Sequence, residues 1–240
     1  MKRIAISQSN YIPWKGYFDC INMVDEFVLY DDMQYTRRDW RNRNKIKTKD
    51  GVKWLSIPVD VKGKYSQKIN EARVCDPGWA EQHWKTIYHS YHKAPHFESY
   101  KKIFEDLYTD NNETYLYRIN NRFTRAICRV LGINTRIMSS SEFDLVDGKS
   151  ERLLDICKKR KATDYYSAPA AKAYLDESLF EKEGIRVHYM DYAGYPEYKQ
   201  LHGPFEHFVS VIDLIFNEGP DATKYMMSFP DSEVELLKAI

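Results

Sequence analysis

The sequence has no hydrophobic run that approaches the ~18 consecutive apolar residues needed to span a membrane. It also lacks the long apolar stretch of a secretory signal, because its first three residues lead directly into a short strand-like segment. Only four cysteines occur, and none has CxxC spacing, which is typical of a protein whose thiols stay reduced. These absences predict a cytoplasmic protein without a membrane span.

The chain also lacks an excess of charge of either sign. Its 36 Lys and Arg residues nearly balance 35 Asp and Glu residues, giving a formal net charge of +1. A neutral protein of this kind is a poor candidate for a general nucleic-acid binder, which needs a basic surface. Positive charge is instead concentrated between Arg37 and Lys49, so any anionic ligand is expected there.

Short apolar runs alternate with segments of helical periodicity along the chain. We expect strands at 3–8, 26–30, 53–59, 135–140, 164–167 and 185–191. We expect helices at 12–24, 150–161, 171–183 and 207–216, and three more within 79–131, broken near Pro95 and 110–112. This order predicts an α/β fold: a doubly wound, mainly parallel sheet with a helical insertion at about 79–131. Residues 1–240 are expected to form a single α/β domain.

Polar residues follow four of the expected strands. They lie at 8–10, 31–34, 139–141 and 167–169. Ligands of open α/β sheets bind beyond the carboxyl ends of the strands, so these segments are the expected site. Solvated loops would have a similar composition, and that alternative stays open.

The first of these turns joins a strand to a helix. Asn10 and the nearby backbone would lie at the helix N-terminus, where N–H groups favour anions, and Lys15 could neutralise a phosphate. An ordinary helix cap by Ser9 or Asn10 is the simpler alternative.

Two acidic residues, Asp31 and Asp32, end the second strand. Adjacent side chains on extended backbone point to opposite faces, so at most one of them can face a given site. That one could act as a base or bind a hydroxyl group.

The segment 37–45 interleaves arginines with amides and Trp40. Such a segment could stack on a nucleobase and hold a diphosphate, or bind RNA or DNA. A solvated basic loop paired with nearby aspartates is the structural alternative.

His83 is a candidate general base on a helix. His89, His92 and His96 follow with spacing that fits one helix face, but Pro95 is expected to break that helix, so no metal site is predicted. Cys75 could form a nucleophilic pair with His83, although spacing alone does not establish one.

Several motifs together resemble the WbqC-like protein family. They are Q-x-N-Y-I-P-W-K-G-Y-F-D at 8–19, D-E-F-V-L-Y-D-D-x-Q-Y at 25–35, R-D-W-R-N-R-N-K-I at 38–46, H-W-K-x-I and K-A-P-x-F within 83–97, D-Y-Y-S at 164–167, Y-x-Q at 198–200 and S-V-I-D-L-I-F-N-E-G at 210–219. The resemblance covers nearly the whole chain, with Cys20 standing where an aliphatic residue is expected.

The resemblance implies a transferase that attaches a glycyl or other acyl group to a nucleotide-linked amino sugar, in O-antigen or other surface-polysaccharide synthesis. The reaction needs a base and oxyanion donors. The candidate catalytic residues are His83, Asp32, Asp31 and Asn10. The candidate substrate-binding residues are Gln8, Tyr11, Trp14, Lys15, Gln34, Arg38, Arg41, Asn42, Arg43, Tyr165, Ser167 and Gln200. The donor would be acyl-CoA or an acyl carrier protein, and a homo-oligomer is compatible with this hypothesis.

The opening strand, helix and acidic strand end also resemble HIGH-type nucleotidyltransferases, at the level of fold alone. Trp14-Lys15-Gly16-Tyr17 stands where those enzymes have His-x-Gly-His, and both histidines are missing. This resemblance implies a second hypothesis, an ATP- and Mg²⁺-dependent ligase or nucleotidyltransferase. A third hypothesis is a non-catalytic protein that binds nucleic acid or a glycan.

Overall fold

A computed structural model describes residues 1–110 and 112–229, which form seven strands and seven α-helices. In chain order they are β1 (Arg3–Ser7), α1 (Lys15–Asn22), β2 (Glu26–Leu29), β3 (Arg43–Thr48), β4 (Gly51–Ser56), α2 (Trp79–Tyr91), α3 (Phe97–Thr109), α4 (Leu116–Val130), β5 (Arg136–Ser139), α5 (Ser150–Lys159), β6 (Asp164–Ser167), α6 (Glu177–Lys182), β7 (Arg186–Tyr189) and α7 (Val211–Glu218). Apart from the β3–β4 hairpin and the three helices that follow it, strands and helices alternate, which confirms the predicted α/β class.

Five strands form a parallel sheet in the order β5-β2-β1-β6-β7. The chain builds outward from β1 through β2 to β5, and then returns to the other side of β1 for β6 and β7. This reversal confirms the doubly wound arrangement. It also places the topological switch point between β1 and β6, where open α/β sheets bind ligands.

Alternate residues of β2 face opposite sides of this sheet. Phe27 belongs to the larger core, which includes the aromatic side chains of α2, α3 and α4, whereas Val28 belongs to a smaller core with Tyr165 and Phe180. Both faces are therefore covered, as expected of a parallel sheet with apolar strands.

The strand expected at 53–59 is present as β4, but it does not join the parallel sheet. It pairs antiparallel with β3 in a separate hairpin. β3 lies in the basic segment 37–49, for which no strand was predicted. The composition of β3 explains why the strand was missed. Ile46 is its one hydrophobic residue, and Arg43 and Lys45 occupy the face that lies over Trp54. That is too weak an alternation to predict a strand.

The three helices expected within 79–131 are α2, α3 and α4. Pro95 lies between α2 and α3, as predicted. The break expected at 110–112 includes residue 111, which lies outside the described residues; α3 ends at Thr109 and α4 begins at Leu116. The expected helix 171–183 is divided into a 3-10 segment, Pro169–Ala173, and α6.

Across the described ranges, no helix combines the length and the hydrophobicity that crossing a lipid bilayer would require.

Candidate functional site

The turn that follows β1 is strained and braced from outside. Ile12 is fully buried with a φ of 37°, a conformation that β-branched residues rarely adopt. The Asn44 side-chain amide donates to the carbonyls of Tyr11 and Ile12, at 3.1 and 3.0 Å. The Tyr11 N–H donates to the Trp40 carbonyl at 3.0 Å. Strain that surrounding contacts hold in place is a common property of functional sites.

This turn forms one wall of a cavity of about 270 Å³ beyond the carboxyl end of β1. The lining residues are Asn10, Pro13, Trp14, Trp40, Asn44, Tyr192 and Phe208. The Trp14 ring lies 5.1 Å from the Tyr192 ring and 5.3 Å from the Phe208 ring. Four aromatic walls with two amides suit a planar ring or the apolar face of a sugar.

Behind Asn10 lies an arginine with spare hydrogen-bonding capacity. Arg41 donates one guanidinium N–H to the Asn10 side-chain oxygen, and its other terminal nitrogen is 3.5 Å from Asp39. Its Nε is buried and finds no acceptor among the described residues. Burial lowers the pKa of Arg41, and Asp39 opposes that shift. An unpaired donor on a buried cation favours an anionic guest.

Other buried polar atoms near Arg41 also lack a partner within the described part of the chain. They are Arg43 Nε, Asn42 Oδ1, Asn120 Oδ1 and Thr124 Oγ1. Asn120 reaches this region from α4, and its amide donates to the Ser9 hydroxyl and to the Arg41 carbonyl. The helical insertion therefore braces the same turn as the hairpin does.

Asp31 is the buried carboxylate of this region. Its side chain accepts the Ser9 backbone N–H at 2.9 Å, and the residue is 2% exposed. Burial raises the pKa of Asp31 from 3.8 to about 6, although the Ser9 hydrogen bonds and the Arg41 charge act in the opposite direction. A carboxylate with such a pKa can take up a proton near neutral pH.

Asp32 turns to different neighbours. It accepts from the Ser140 hydroxyl beyond β5, and from the Asn70 amide at 2.9 Å. Asp31 and Asp32 thus face separate surroundings, and Asp31 is the one that contacts the β1 turn.

His83 lies beneath the turn, inside an aromatic cluster. Its Nδ1 is hydrogen-bonded to the Tyr11 hydroxyl at 2.9 Å, and that hydroxyl is 2.6 Å from the Tyr108 hydroxyl. Burial lowers the pKa of His83 from 6.5 to about 4, against a hydrogen bond to the Ser56 backbone. His83 is therefore a neutral, buried side chain away from the cavity wall, and Tyr11 is buried with it.

Cys75, the cysteine considered as a nucleophilic partner of His83, is exposed, whereas His83 is buried.

Lys15 is also turned inward. Its ammonium donates to the Pro196 carbonyl at 2.8 Å and lies over the rings of Tyr195 and Tyr198. Burial lowers the pKa of Lys15 from 10.5 to about 8, and Asp19 opposes that shift. The side chain is outside the set that lines the cavity.

Three later candidates lie in buried packing rather than on the cavity wall. Tyr165 stacks on Phe180, with ring centres 5.3 Å apart, and its hydroxyl donates to Ser167 at 3.3 Å. The Gln200 amide donates to buried Asp213 at 3.0 Å.

The remaining candidates surround the turn and the basic loop. The Gln8 carbonyl accepts the Tyr17 hydroxyl at 3.1 Å. Gln34 is exposed and donates to the Tyr65 carbonyl. Arg38 is exposed, and its carbonyl accepts from Arg43. The Asn42 amide donates to the Ile57 carbonyl at 2.8 Å. The structure therefore brings Asn10, Trp14, Asp31 and Arg41 together, and places the others around or beneath them.

Five cavity residues were not among the candidates listed from sequence: Pro13, Trp40, Asn44, Tyr192 and Phe208. Trp40 and Asn44 lie in the basic segment 37–45, which was expected to bind a ligand as a whole. Tyr192 follows the strand expected at 185–191, so the rule used for the other four strand ends could have found it. Phe208 carries no local signal, because only tertiary contacts bring it to the β1 turn.

Comparisons with known proteins place these features in a family. The chain is 49% identical over 226 residues to the uncharacterized protein Rv1507c of Mycobacterium tuberculosis, a match that covers 94% of this chain and 98% of that protein. No solved structure matches the chain significantly. The profile of the WbqC-like protein family matches residues 8–225. The match includes β2, β5, β6 and β7 of the parallel sheet, the hairpin and every residue that lines the cavity, and the chain therefore belongs to the WbqC-like protein family.

Proposed function

We propose that this chain is a cytoplasmic transferase that forms an amide on a nucleotide-linked amino sugar during bacterial surface-polysaccharide synthesis. One observation carries the proposal: an aromatic cavity lies at the carboxyl end of β1, beside a buried arginine with an unpaired donor. Trp14 and Trp40 offer stacking surfaces for a base, and Arg41 offers charge and hydrogen bonds for a diphosphate. Both groups occur in a nucleotide-linked sugar.

The cavity is slightly smaller than the roughly 300–1,000 Å³ of typical ligand pockets. It therefore fits one ring system of the substrate, and the remainder would extend past Asn10 toward Arg41. A site of this form binds the ligand by one planar group and one anionic group, which gives orientation as well as affinity.

The proposed reaction joins the sugar amine to the carbonyl carbon of an activated acyl donor. With a thioester donor, the C–N bond forms and the C–S bond breaks. The amine loses one proton to a base, and the departing thiolate takes up a proton. Asp31 is our choice of base, since its raised pKa suits proton uptake and the residue lies one hydrogen bond from the turn.

Asn10 is our choice of oxyanion donor. Its side-chain oxygen accepts from Arg41. Its amide N–H groups form no hydrogen bond within the described part of the chain and can donate to a tetrahedral intermediate. His83 is less suited to the base role for which we considered it, because burial lowers its pKa to about 4, which makes it a weak base, and because aromatic rings enclose it.

A thermal-shift panel of nucleotide sugars, nucleotides and coenzyme A tests the proposal. A nucleotide-linked amino sugar is expected to raise the melting temperature of the wild-type protein, because a ligand of the folded state stabilises it. Arg41→Ala should lose that shift. Arg37→Ala, at an exposed arginine of the same segment that was not a binding candidate, is the matched control and should retain it.

The proposal fails if no nucleotide-linked compound shifts the wild-type protein. Arg41→Lys protects the test against misfolding: it keeps the charge but loses the forked geometry, so it should fold and show a reduced shift.

An ATP-dependent ligase or nucleotidyltransferase is the second candidate, because the same cavity at a switch point would accept adenine. Lys15, in the segment that replaces His-x-Gly-His, donates to Pro196 and is 2% exposed, so it offers no charge to a triphosphate. Activity that requires ATP and Mg²⁺ and releases pyrophosphate or ADP would favour this candidate. Amide formation from a thioester without ATP would exclude it.

A further inference from the structure

A second concave surface lies at the tip of the β3–β4 hairpin, where it meets α2. Its volume is about 860 Å³, larger than the aromatic cavity. We call it the lysine groove, after four of its lining residues: Lys49, Lys53, Lys85 and Lys93. Asp50 is the single carboxylate in the lining, and three histidines, His89, His92 and His202, complete its charged or titratable groups.

The four lysines carry charge that no described carboxylate neutralises. None of them forms an ion pair with the described part of the chain. Elsewhere on the surface, by contrast, Lys64, Lys102 and Lys158 each lie 2.6 Å from a carboxylate oxygen. Uncompensated charge of one sign in a concave surface concentrates anions.

The lysine groove and the aromatic cavity lie along the same two structural elements. On β3, Asn44 lines the cavity and Thr48 lines the groove, four residues apart, or about 13 Å on an extended strand. On the loop before α7, Phe208 lines the cavity and His202 lines the groove, where its ring bonds to the Ser90 carbonyl at 2.9 Å. The two concave surfaces therefore border the same strand and the same loop.

We infer that the lysine groove binds the phosphate groups of the acyl donor, a coenzyme A thioester whose flexible arm runs along the hairpin to the aromatic cavity. The inference rests on the proposed function, since it names the donor of that reaction. Lysines suit phosphates as point charges, and the groove has the size of a small-molecule site. The net charge of +1 argues against nucleic acid as the occupant.

The chemistry of transfer makes free coenzyme A a usable probe. When the sugar amine attacks the thioester carbonyl, the C–S bond breaks and coenzyme A leaves as the thiol with all its phosphates. The product therefore keeps the groups that the groove would recognise, and its binding can be measured without turnover.

Isothermal titration calorimetry with free coenzyme A tests the inference. Lys53→Glu/Lys85→Glu reverses two groove charges that are exposed and unpaired, and should weaken binding roughly tenfold or more. Lys62→Glu/Lys182→Glu makes the same change in total charge at exposed positions outside the groove, and should leave the Kd within about twofold of wild type. Circular dichroism confirms that both variants fold.

Three results would overturn the inference. They are an unchanged Kd in the groove variant, equal weakening in the control variant, and inorganic tripolyphosphate binding as tightly as coenzyme A. Binding of a phosphopantetheinylated acyl carrier protein without binding of free coenzyme A would also overturn it.

Titrating a nucleotide-linked amino sugar into the same proteins keeps the two ideas separate. Sugar binding without coenzyme A binding would refute the donor site alone. The proposed transferase would then require a different acyl donor. Coenzyme A binding without any sugar binding would refute the proposed transferase, and with it the role of the lysine groove as the site of an acyl donor.

Discussion

At the amino end of the parallel sheet, two buried carboxylates are held by cations, whereas the buried carboxylate at the carboxyl end is not. Glu26 accepts from Arg160 at 2.7 Å, and Lys2 lies 3.2 Å away. Asp164 accepts from Arg186 at 2.9 and 3.0 Å. Asp31 instead accepts a backbone N–H.

The pKa values differ in the same sense. Hydrogen bonds from Arg160 lower the pKa of Glu26, and bonds from Arg186, Thr163 and His188 lower that of Asp164 against the opposing effect of burial. Burial raises the pKa of Asp31 to about 6. One end of the sheet therefore stabilises its carboxylates, and the other holds a carboxylate in a form that costs free energy.

The difference indicates where a ligand belongs. The strained Ile12 and the unpartnered side-chain atoms of Arg41 and Asn120 lie at the same end as Asp31. Local features that lower stability without visible compensation are expected at functional sites. The comparison thus supports the carboxyl end as the site without using any family resemblance.

The same substitution at the two ends should affect activity very differently. We expect Asp31→Asn to lower the rate of amide formation by roughly 10²–10⁴-fold, the usual contribution of a general base. Asp164→Asn should leave the rate nearly unchanged. The measurement is kcat, with acyl-CoA and a nucleotide-linked amino sugar as substrates. Equal losses in both variants would remove the functional distinction between the ends.

Stability should change in opposite directions. The folded-state pKa of Asp31 lies above its unfolded value, so ionisation costs stability as pH rises from about 4 to 6, by an amount on the order of 3 kcal/mol. Asp31→Asn keeps an acceptor for the Ser9 N–H and avoids this cost. It should therefore be more stable than wild type at pH 8, and lose that advantage near pH 4.

Asp164→Asn should show the reverse. Because the folded-state pKa of Asp164 is lowered, its carboxylate stabilises the folded protein at any pH above the pKa of Asp164 in the unfolded chain. This contribution disappears as pH falls from the unfolded-state pKa through the folded-state pKa. The variant should be less stable than wild type at pH 8 and also at pH 4, because the gap closes only as pH falls below the ordinary Asp pKa of about 4. Urea unfolding at pH 4 and pH 8 measures both variants. A destabilised Asp31→Asn at pH 8 would contradict the comparison.

The cavity can be separated from the basic hairpin by two tryptophans of equal exposure. Trp40 lines the cavity and Trp54 does not, although each is 40% exposed. We expect Trp40→Ala to weaken binding of a nucleotide-linked sugar by roughly 5- to 100-fold, the value of about 1–3 kcal/mol of stacking. Trp54 packs on Trp40, with ring centres 5.4 Å apart, but lies outside the cavity lining. Trp54→Ala should therefore have the smaller effect, a change in Kd of less than about threefold. A larger effect at Trp54 would indicate that the ligand binds on the exposed face of the hairpin rather than in the cavity.

Much of this fold could be predicted from sequence because its signals are local. Apolar runs such as 26–30 and helical periodicity such as 150–161 are complete within a few residues. The strand β3 could not be predicted, since Arg43, Lys45 and Lys47 mask its alternation.

The candidate site was predictable only in part. Asn10, Asp31 and Arg41 follow strands or lie in the unusual basic segment, so polarity and position identified them. Sequence could not show that His83 would pack against Tyr11 and Trp79, because burial depends on packing between distant segments.

The exposed ion pair between Arg3 and Asp25 should contribute least to the free energy of unfolding. Its partners are 41% and 42% exposed, and such pairs are worth about 0–1 kcal/mol and weaken with salt. Arg3→Ala removes the guanidinium but keeps the backbone N–H that donates to Asp25 at 2.7 Å. Urea unfolding should therefore show a loss below about 1 kcal/mol in low salt, falling further at 1 M NaCl. A loss well above this would mean that exposed pairs also stabilise the amino end. A loss below about 1 kcal/mol would mean that the buried carboxylates Glu26 and Asp164, the counterparts of Asp31, are the acidic groups that stabilise the amino end.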